Sequence, residues 1–139
     1  MTESVFPESN TMTNLHTLLI ADPRKYVREF LQREMSQNGY RVLTAKTGKE
    51  IMMYLNTEPS IDLIIVDPEL PDVNDWAILH TVKNQAPAMP VIVHTFISDY
   101  TKHTITPETA IFVEKRGNSI NSLKKVVAEV LPRTKSIRN

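Results

Sequence analysis

Four polar side chains stand at the ends of apolar segments, where their chemistry could be combined. Asp22 follows the segment TLLIA, and Asp67 follows IDLIIV. Thr95 ends the segment VIVHT, and Lys115 comes just after AIFVE. Paired carboxylates bind a hard cation such as Mg2+, while a hydroxyl and an ammonium can hold the oxygens of a phosphoryl group. If the four side chains meet, the sequence predicts a site for phosphoryl chemistry.

Five short apolar segments have the length and composition of buried β-strands. We predict strands at residues 17–21, 40–45, 61–66, 90–95 and 110–114. Segments such as LIIV, with no polar alternation, indicate strands that are covered on both faces.

The segments between the strands carry helical signals. Val27, Phe30, Leu31 and Met35 form an apolar stripe at i, i+3, i+4 and i+8, and Gly39 is a plausible stop. This pattern predicts an amphipathic helix after the first strand.

Three further helices are predicted from capping and periodicity, and a fourth signal is weak. Thr47 and Glu50 have capping-box spacing. A short helix is expected to continue from Trp76, and a clear apolar stripe runs through residues 120–131. Near residues 99–105 only a short, poor helix is predicted.

The order of elements is therefore a strand–helix unit repeated five times. This order predicts a doubly wound, five-stranded parallel sheet with helices on both faces, in three α/β/α layers. Ligands of such sheets bind at the carboxyl ends of the strands. The four side chains named above should therefore share one edge of the sheet.

Composition narrows the classes of protein. The 139-residue chain has 16 basic and 16 acidic residues, so nothing indicates a nucleic-acid surface. The absence of cysteine excludes disulfides and cysteine-based zinc sites. No apolar run approaches the roughly 20 residues of a membrane span, and we expect that residues 1–12 are not a secretory signal. We expect a cytoplasmic protein with neither nucleic acid nor membrane as a partner.

One domain is expected, flanked by two polar ends. Residues 1–14 contain acids and no base, whereas residues 132–139 contain bases and no acid. Both ends lack periodicity, so we expect a flexible N-terminal tail, a domain at 15–131 and a flexible basic C-terminal tail.

Across residues 16–131 the chain resembles the receiver domain of two-component response regulators. The resemblance lies in LLIADP, DLIIVDPELPD, VIVHT and IFVEK, in this order. It implies a flavodoxin-like fold and a place in a phosphorelay. A histidine kinase or phosphotransfer protein would be the phosphodonor. The output would be a downstream protein or self-association, through the face formed by helix 4, strand 5 and helix 5.

The resemblance also implies roles for single residues. Asp67 would be the phosphoacceptor, and Mg2+ would be held by Asp22, Asp67 and the main-chain carbonyl of Glu69. Thr95 and Lys115 would bind the phosphoryl group. Phe112 would be the aromatic switch residue, which turns inward when Asp67 is phosphorylated.

Four residues depart from the family pattern. Pro23 stands where a second acid is expected, so Mg2+ should bind weakly or not at all, unless the Glu69 side chain compensates. Phe96 replaces a small residue and could shade Asp67. Arg116 replaces a proline, so a trans peptide bond and a re-aimed Lys115 loop are expected. Asp75 replaces a glycine, so the turn at 72–76 should differ if it needs positive φ.

Simpler roles exist for the same residues. Asp22 before Pro23 is also a good helix N-cap, and Asp67 before Pro68 can open a turn. Thr95 can be only a strand end, and Lys115 only a solvated charge. His94 and Trp76 are expected to pack in the core.

Three functions follow, in order of preference. The first is a receiver that is phosphorylated on Asp67 and switches an interaction surface, with no enzymatic turnover beyond its own phosphorylation and dephosphorylation. The second is an atypical or pseudo-receiver that binds proteins without phosphorylation, favoured by Pro23, Phe96 and Arg116. The third is a small phosphohydrolase or nucleotide-binding protein, disfavoured because a glycine-rich phosphate loop is missing.

Overall fold

A computed structural model describes residues 15–74, 76–100 and 110–132 of the chain. The described elements alternate between strand and helix. They are β1 Thr17–Ala21, α1 Lys25–Gln37, β2 Arg41–Ala45, α2 Gly48–Thr57, β3 Ile61–Val66, α3 Ala77–Gln85, β4 Val91–Thr95, α4 Ile97–Tyr100, β5 Ile111–Glu114 and α5 Ser119–Val130. The five predicted strands are thus confirmed to within one residue at each end.

The strands form one parallel sheet in the order β2-β1-β3-β4-β5. The chain runs outward from β1 to β2, then crosses back past β1 to β3. The strand order therefore reverses between β1 and β3, which is where a cleft opens at the carboxyl edge of such a sheet. Asp22 and Asp67 follow these two strands directly.

Two apolar layers cover the sheet, as the doubly wound fold predicts. On one face, side chains of β1 and β3 pack against α1 and α5 through residues such as Leu31, Met35, Leu123 and Val127. On the other face, the sheet packs against α2 and α3 through Ile51 and other buried side chains of these two helices. Residues alternate between the two faces along each strand because successive side chains point to opposite sides. Burial on both faces fixes the strand register, and with it the position of each strand end.

Local signals were accurate at most helix ends. Gly39 has φ 96 beyond the end of α1, the left-handed conformation that glycine tolerates. Thr47 caps α2 by accepting the Glu50 N–H at 3.1 Å, and Glu50 Oε1 accepts the N–H of Lys46 at 2.8 Å. The prediction for Phe30 was only partly right, because this side chain is 37% exposed at the edge of the α1 stripe.

Some expectations were wrong or lie outside the described residues. Asp22 is not the N-cap of α1, since Arg24 occupies that position. The weak helix expected at 99–105 begins earlier, at Ile97, and its predicted remainder beyond Tyr100 is not described. Both predicted tails, except Pro132, and Asp75 also lie outside the described residues. None of the described helices has the length and apolarity to cross a membrane.

Candidate functional site

Backbone hydrogen bonds carry the sheet pairing into the residues of the candidate site. The N–H of Asp22 donates to Ala45 O at 3.1 Å, and the N–H of Asp67 donates to Ala21 O at 2.9 Å. Across the next strands, the N–H of Lys115 donates to Thr95 O at 2.8 Å. The four predicted residues are therefore positioned by the sheet itself, since each follows or ends a paired strand.

Lys115 joins the two predicted carboxylates. Its Nζ lies 2.6 Å from Asp67 Oδ2 and 2.7 Å from Asp22 Oδ2. Thr95 Oγ1 donates to the other oxygen of Asp67, Oδ1, at 3.2 Å. All four side chains are buried, and Lys115 is 9% exposed. Lys115 is therefore an ion-pair partner inside the site, and the simpler role of a solvated charge was wrong.

Each carboxylate bonds the following turn through Oδ1 and Lys115 through Oδ2. Oδ1 of Asp22 accepts the N–H of Arg24, and Oδ1 of Asp67 accepts the N–H of Glu69, both at 2.9 Å. These are turns in which an aspartate bonds the backbone two residues on. Oδ2 of both residues faces Lys115. The turn-opening role proposed for Asp67 therefore coexists with its place in the site, because Oδ1 accepts from both Glu69 and Thr95 while Oδ2 pairs with Lys115.

Burial and the neighbouring charges set the protonation of Asp22. Burial raises the pKa of this carboxyl above its usual 3.8, against the opposing effects of the Lys115 hydrogen bond and the Arg24 amide. The nearby Asp67 charge raises this pKa further. A carboxylate in this position depends on its cationic partner to stay ionised.

Arg24 adds a second cation to the site. Its Nη1 lies 3.6 Å from Asp67 Oδ2, while the side chain remains 44% exposed. The Phe96 ring lies against both cations, with its centroid 5.9 Å from Arg24 Cζ and 5.7 Å from Lys115 Nζ. Both distances are within the range of cation–π attraction. Sequence analysis missed Arg24, although its place two residues after Asp22 at the start of a helix was visible.

The loop after Asp67 is tied down at two places that the sequence did not reveal. Trp76 Nε1 donates to Glu69 Oε2 at 2.6 Å. Asp72 accepts the N–H groups of Gly48 and Lys49, at 2.8 and 3.0 Å, and so binds the start of α2. The Glu69 carboxylate, offered as an alternative replacement for the missing acid, is thus engaged by an indole.

Trp76 combines the predicted burial with an unexpected backbone. The side chain is 1% exposed and belongs to the apolar layer between the sheet and α2–α3. Its φ of 59 makes it the one non-glycine residue with positive φ among those the structure describes. A bulky residue in this region is strained, and packing must hold it there.

His94 packs behind Thr95, as predicted, and its tautomer can be derived. Ser119 Oγ donates its single hydrogen to Arg116 O at 2.9 Å, so it must accept from His94 Nε2, which lies at 3.0 Å. His94 Nε2 therefore carries the hydrogen, and Nδ1 is buried without a hydrogen-bond partner. Burial, together with the nearby Lys115 charge, lowers the pKa of His94 to about 4.

A cavity of about 450 Å3 opens beside these groups. It lies between α1, the end of β4 and the start of α5, and Arg24, Lys115, Phe96 and His94 are among its lining residues. The two cations of the site are therefore reached from this cavity, which the Phe96 ring borders.

The donor set can be tested for a divalent cation. Oδ2 of Asp22 and Oδ2 of Asp67 converge on one point, now taken by Lys115 Nζ. Mg2+ is commonly held by one or two carboxylates with waters completing its shell, so these oxygens fit the ion. In the part of the chain that the structure describes, no group of three or more His, Cys, Asp or Glu side chains is arranged for a metal.

The remaining predicted residues take varied positions. Phe112 is half-buried and packs against the apolar layer of α2 and α3, with Val93 as its register partner. Arg116 pairs with Glu114 at 2.7 Å on the surface, and its peptide bond with Lys115 is trans, as predicted. Pro23 is half-buried between Asp22 and Arg24 and brings no side-chain oxygen.

Comparison with known proteins identifies the class. Residues 18–128 match the family model of the response regulator receiver domain. The chain belongs to this family, and it is a receiver domain of the response regulator type.

The sequence relatives of the chain are longer than the chain itself. The chain is 33% identical over 84 residues to a probable transcriptional regulator, ycf27, of Cyanidium caldarium, covering 60% of this chain and 33% of that protein. It is 32% identical over 75 residues to the response regulator SaeR of Staphylococcus aureus, covering 54% of this chain and 32% of the relative. The chain thus spans about a third of the length of the curated relatives it matches.

Solved structures show the same fold. The response regulator TrrA of Thermotoga maritima, solved in complex with Mg2+ and BeF, superposes with a TM-score of 0.76 at 25% identity, covering 84% of this chain and 100% of TrrA. The chemotaxis response regulator CheY4 of Vibrio cholerae gives 0.72 at 21% identity, covering 84% and 99%. The predicted flavodoxin-like α/β fold is confirmed.

Proposed function

We propose that Asp67 accepts a phosphoryl group and that Lys115 and Thr95 hold its oxygens. One observation carries the proposal: Asp67 contacts Lys115 through Oδ2 and Thr95 through Oδ1, all within a buried strand-end cluster. An ammonium and a hydroxyl that already bind the carboxylate are placed to bind a group attached to it. Membership of the receiver family and the geometry of the site both support Asp67 as the phosphoacceptor.

The reaction would be a simple group transfer. A carboxylate oxygen of Asp67 attacks phosphorus, and the bond from phosphorus to the donor breaks as the new O–P bond forms. The leaving group, an imidazole nitrogen of a histidine kinase or phosphotransfer protein, departs with the electron pair. If Mg2+ is bound, Oδ2 of Asp22 and Oδ2 of Asp67 would hold it with the Glu69 carbonyl, and it would offset negative charge on the phosphoryl oxygens.

The output would be a changed surface. A phosphoryl group would draw the Thr95 hydroxyl toward it, and Thr95 pairs in register with Glu114 on β5. Phe112 on the same strand is half-buried and would turn inward. The α4–β5–α5 face would then bind a downstream protein or a second copy of the chain, a local charge event with a distant readout. Turnover of a separate substrate is not part of this function.

Intact mass measurement after incubation with Mg2+ and acetyl phosphate tests the proposal. We expect one added phosphoryl group on the wild type and none on Asp67→Asn. Absence of the adduct at millimolar Mg2+ would overturn phosphorylation and favour the pseudo-receiver, an interaction module that works without it. Steady phosphate release from an added monoester would instead indicate a phosphohydrolase.

A further inference from the structure

Arg24 is anchored at the phosphoacceptor by contacts on both sides of its chain. Its backbone N–H is held by Asp22 Oδ1 at 2.9 Å, and its Nη1 lies 3.6 Å from Asp67 Oδ2. The Phe96 ring lies near the guanidinium, with Arg24 Cζ 5.9 Å from the ring centroid. The long side chain of Arg24 is thus directed toward the Asp67 carboxylate, although it is half-exposed to solvent.

Among the described residues that form ion pairs at the site, carboxylates and cations are equal in number. Asp22 and Asp67 contribute two carboxylates, and Lys115 and Arg24 contribute two cations in contact with them. A divalent cation entering this group would meet two positive charges close to its own position. Coulomb repulsion at such distances weakens binding, although solvent near Arg24 screens part of the effect.

We propose that Arg24 is a second phosphoryl-binding cation, which supplies in this receiver much of the charge that Mg2+ would otherwise bring. Phosphorylation of Asp67 would then proceed without a metal, and Arg24 would weaken Mg2+ binding. The inference rests on the function proposed for Asp67.

The guanidinium suits this role chemically. Its planar fork of N–H donors matches two phosphoryl oxygens at once. Nη1 is already within 4 Å of the oxygen to which Lys115 is bonded. A phosphoryl group on Asp67 would therefore meet Lys115 from the interior and Arg24 from the cavity side.

Phe96 gains a function from this arrangement. The ring lies within 6 Å of both Arg24 and Lys115. A face of an aromatic ring attracts cations without neutralising them, so it restrains both side chains and leaves their N–H groups for an anion. The large residue at this position then supports the two cations instead of only shading Asp67.

The first experiment measures Mg2+ binding alone, without any phosphoryl chemistry. Titration of the full chain with MgCl2 can be followed by the fluorescence of Trp76, the single tryptophan, whose indole is bonded to Glu69. We expect Arg24→Gln to bind Mg2+ about tenfold more tightly than the wild type, because one nearby positive charge is gone. Arg33→Gln is the matched control, because this arginine lies on α1, the helix that begins after Arg24, and its guanidinium lies over Phe30; it should leave the affinity unchanged.

The second experiment asks whether the metal is dispensable. The wild type, Arg24→Gln and Arg33→Gln are incubated with acetyl phosphate in excess EDTA or in Mg2+, and the adduct is followed by intact mass. Acetyl phosphate is the phosphoryl donor, and acetate leaves with the electron pair. In EDTA we expect the wild type and Arg33→Gln to react within about tenfold of their rates in Mg2+, and Arg24→Gln to react at least tenfold more slowly than the wild type.

The outcomes separate this inference from the function on which it rests. A wild type that reacts only in Mg2+ overturns the role of Arg24 and leaves Asp67 as the phosphoacceptor. A wild type that reacts in neither condition overturns the proposed function, and the Mg2+ titration still decides whether Arg24 weakens metal binding. Equal Mg2+ affinities of the wild type and Arg24→Gln would refute that effect. Recovery of the EDTA reaction by Arg24→Lys would show that the charge itself is required.

Discussion

The indole of Trp76 donates a 2.6 Å hydrogen bond to Glu69 Oε2 across the loop that follows the candidate phosphoacceptor. The bond joins a residue in a strained, left-handed backbone to one whose own N–H is held by Asp67 Oδ1. The loop is thus clamped at both ends, and the Glu69 carboxylate is turned toward a buried ring. The shape of the loop at the entrance to the site therefore depends on Trp76, which is buried in the core.

Replacement of Trp76 should destabilise the domain. Trp76→Phe keeps an aromatic ring in the core but removes the donor to Glu69, and we expect a loss of about 2 kcal/mol in the free energy of unfolding, as for a hydrogen bond to a charged group. Urea unfolding followed by circular dichroism measures it. Glu69→Gln is the control, because its amide oxygen can still accept the bond, and it should cost less. A change below about 0.5 kcal/mol for Trp76→Phe would contradict the clamp.

A methyl group at Gly48 should disturb the contact between α2 and the same loop. A Cβ at this position would lie 2.5 Å from Val73 Cγ2, so the side chain of Val73 or the loop itself must shift. We expect Gly48→Ala to cost about 1–3 kcal/mol of stability, the range for overpacking, and to slow phosphorylation of Asp67.

Gly117→Ala is the matched control for this change. A Cβ at Gly117 meets no atom within 4 Å, and the residue does not have positive φ. Its stability and its rate of adduct formation should stay at wild-type values. Equal unfolding temperatures of the two variants would show that the close approach of Gly48 to Val73 does not affect stability.

His94 should make the fold sensitive to mild acid. Its pKa is lowered to about 4 in the folded chain, whereas an exposed histidine titrates near 6.5. Between these values the unfolded chain binds the proton and the folded chain does not, so stability is present above pH 6.5 and is lost as the pH falls toward 4. The loss attributable to His94 should approach about 3 kcal/mol.

The pH effect can be isolated by comparing variants. His94→Gln retains an amide that can donate to Ser119, so its unfolding free energy should fall less steeply than that of the wild type between pH 6.5 and 4. Parallel curves for the wild type and His94→Gln would rule out a contribution from His94.

Removal of Lys115 should leave two buried carboxylates that, among the described residues, keep the half-exposed Arg24 as their cationic partner. We expect Lys115→Met to lower stability at pH 7 by about 3 kcal/mol, as when one partner of a buried ion pair is lost. Because the pKa of Asp22 is already raised by burial, protonation should return stability as the pH falls through that raised value. Chemical unfolding at a series of pH values would show this recovery.

Lys124→Met supplies the comparison for the lysine deletion. Lys124 pairs with Glu34 at 2.9 Å in a position that is 30% exposed, where an ion pair contributes at most about 1 kcal/mol. Its loss should be small and should not recover in acid. A Lys115→Met protein as stable as Lys124→Met would show that the carboxylates do not depend on the buried ammonium.

The sequence alone determined the sheet, its covering layers and the edge at which the site lies. Apolar runs, helical stripes and capping residues are local patterns, and parallel strands bring their carboxyl ends to one edge whatever the details. The sequence therefore predicts one edge of the sheet as the common position of Asp22, Asp67, Thr95 and Lys115. That placement is confirmed, while their chemical roles stay predictions.

Only the tertiary structure decided what each of these atoms contacts. Arg24 meets Asp67, Trp76 meets Glu69, and Asp72 meets the start of α2 through side chains whose directions depend on packing between elements distant in sequence. No local period encodes such contacts, because they arise from the register of the sheet and the seating of helices upon it. The same packing brings two cations, Lys115 and Arg24, to the site at which Pro23 replaces an expected acid.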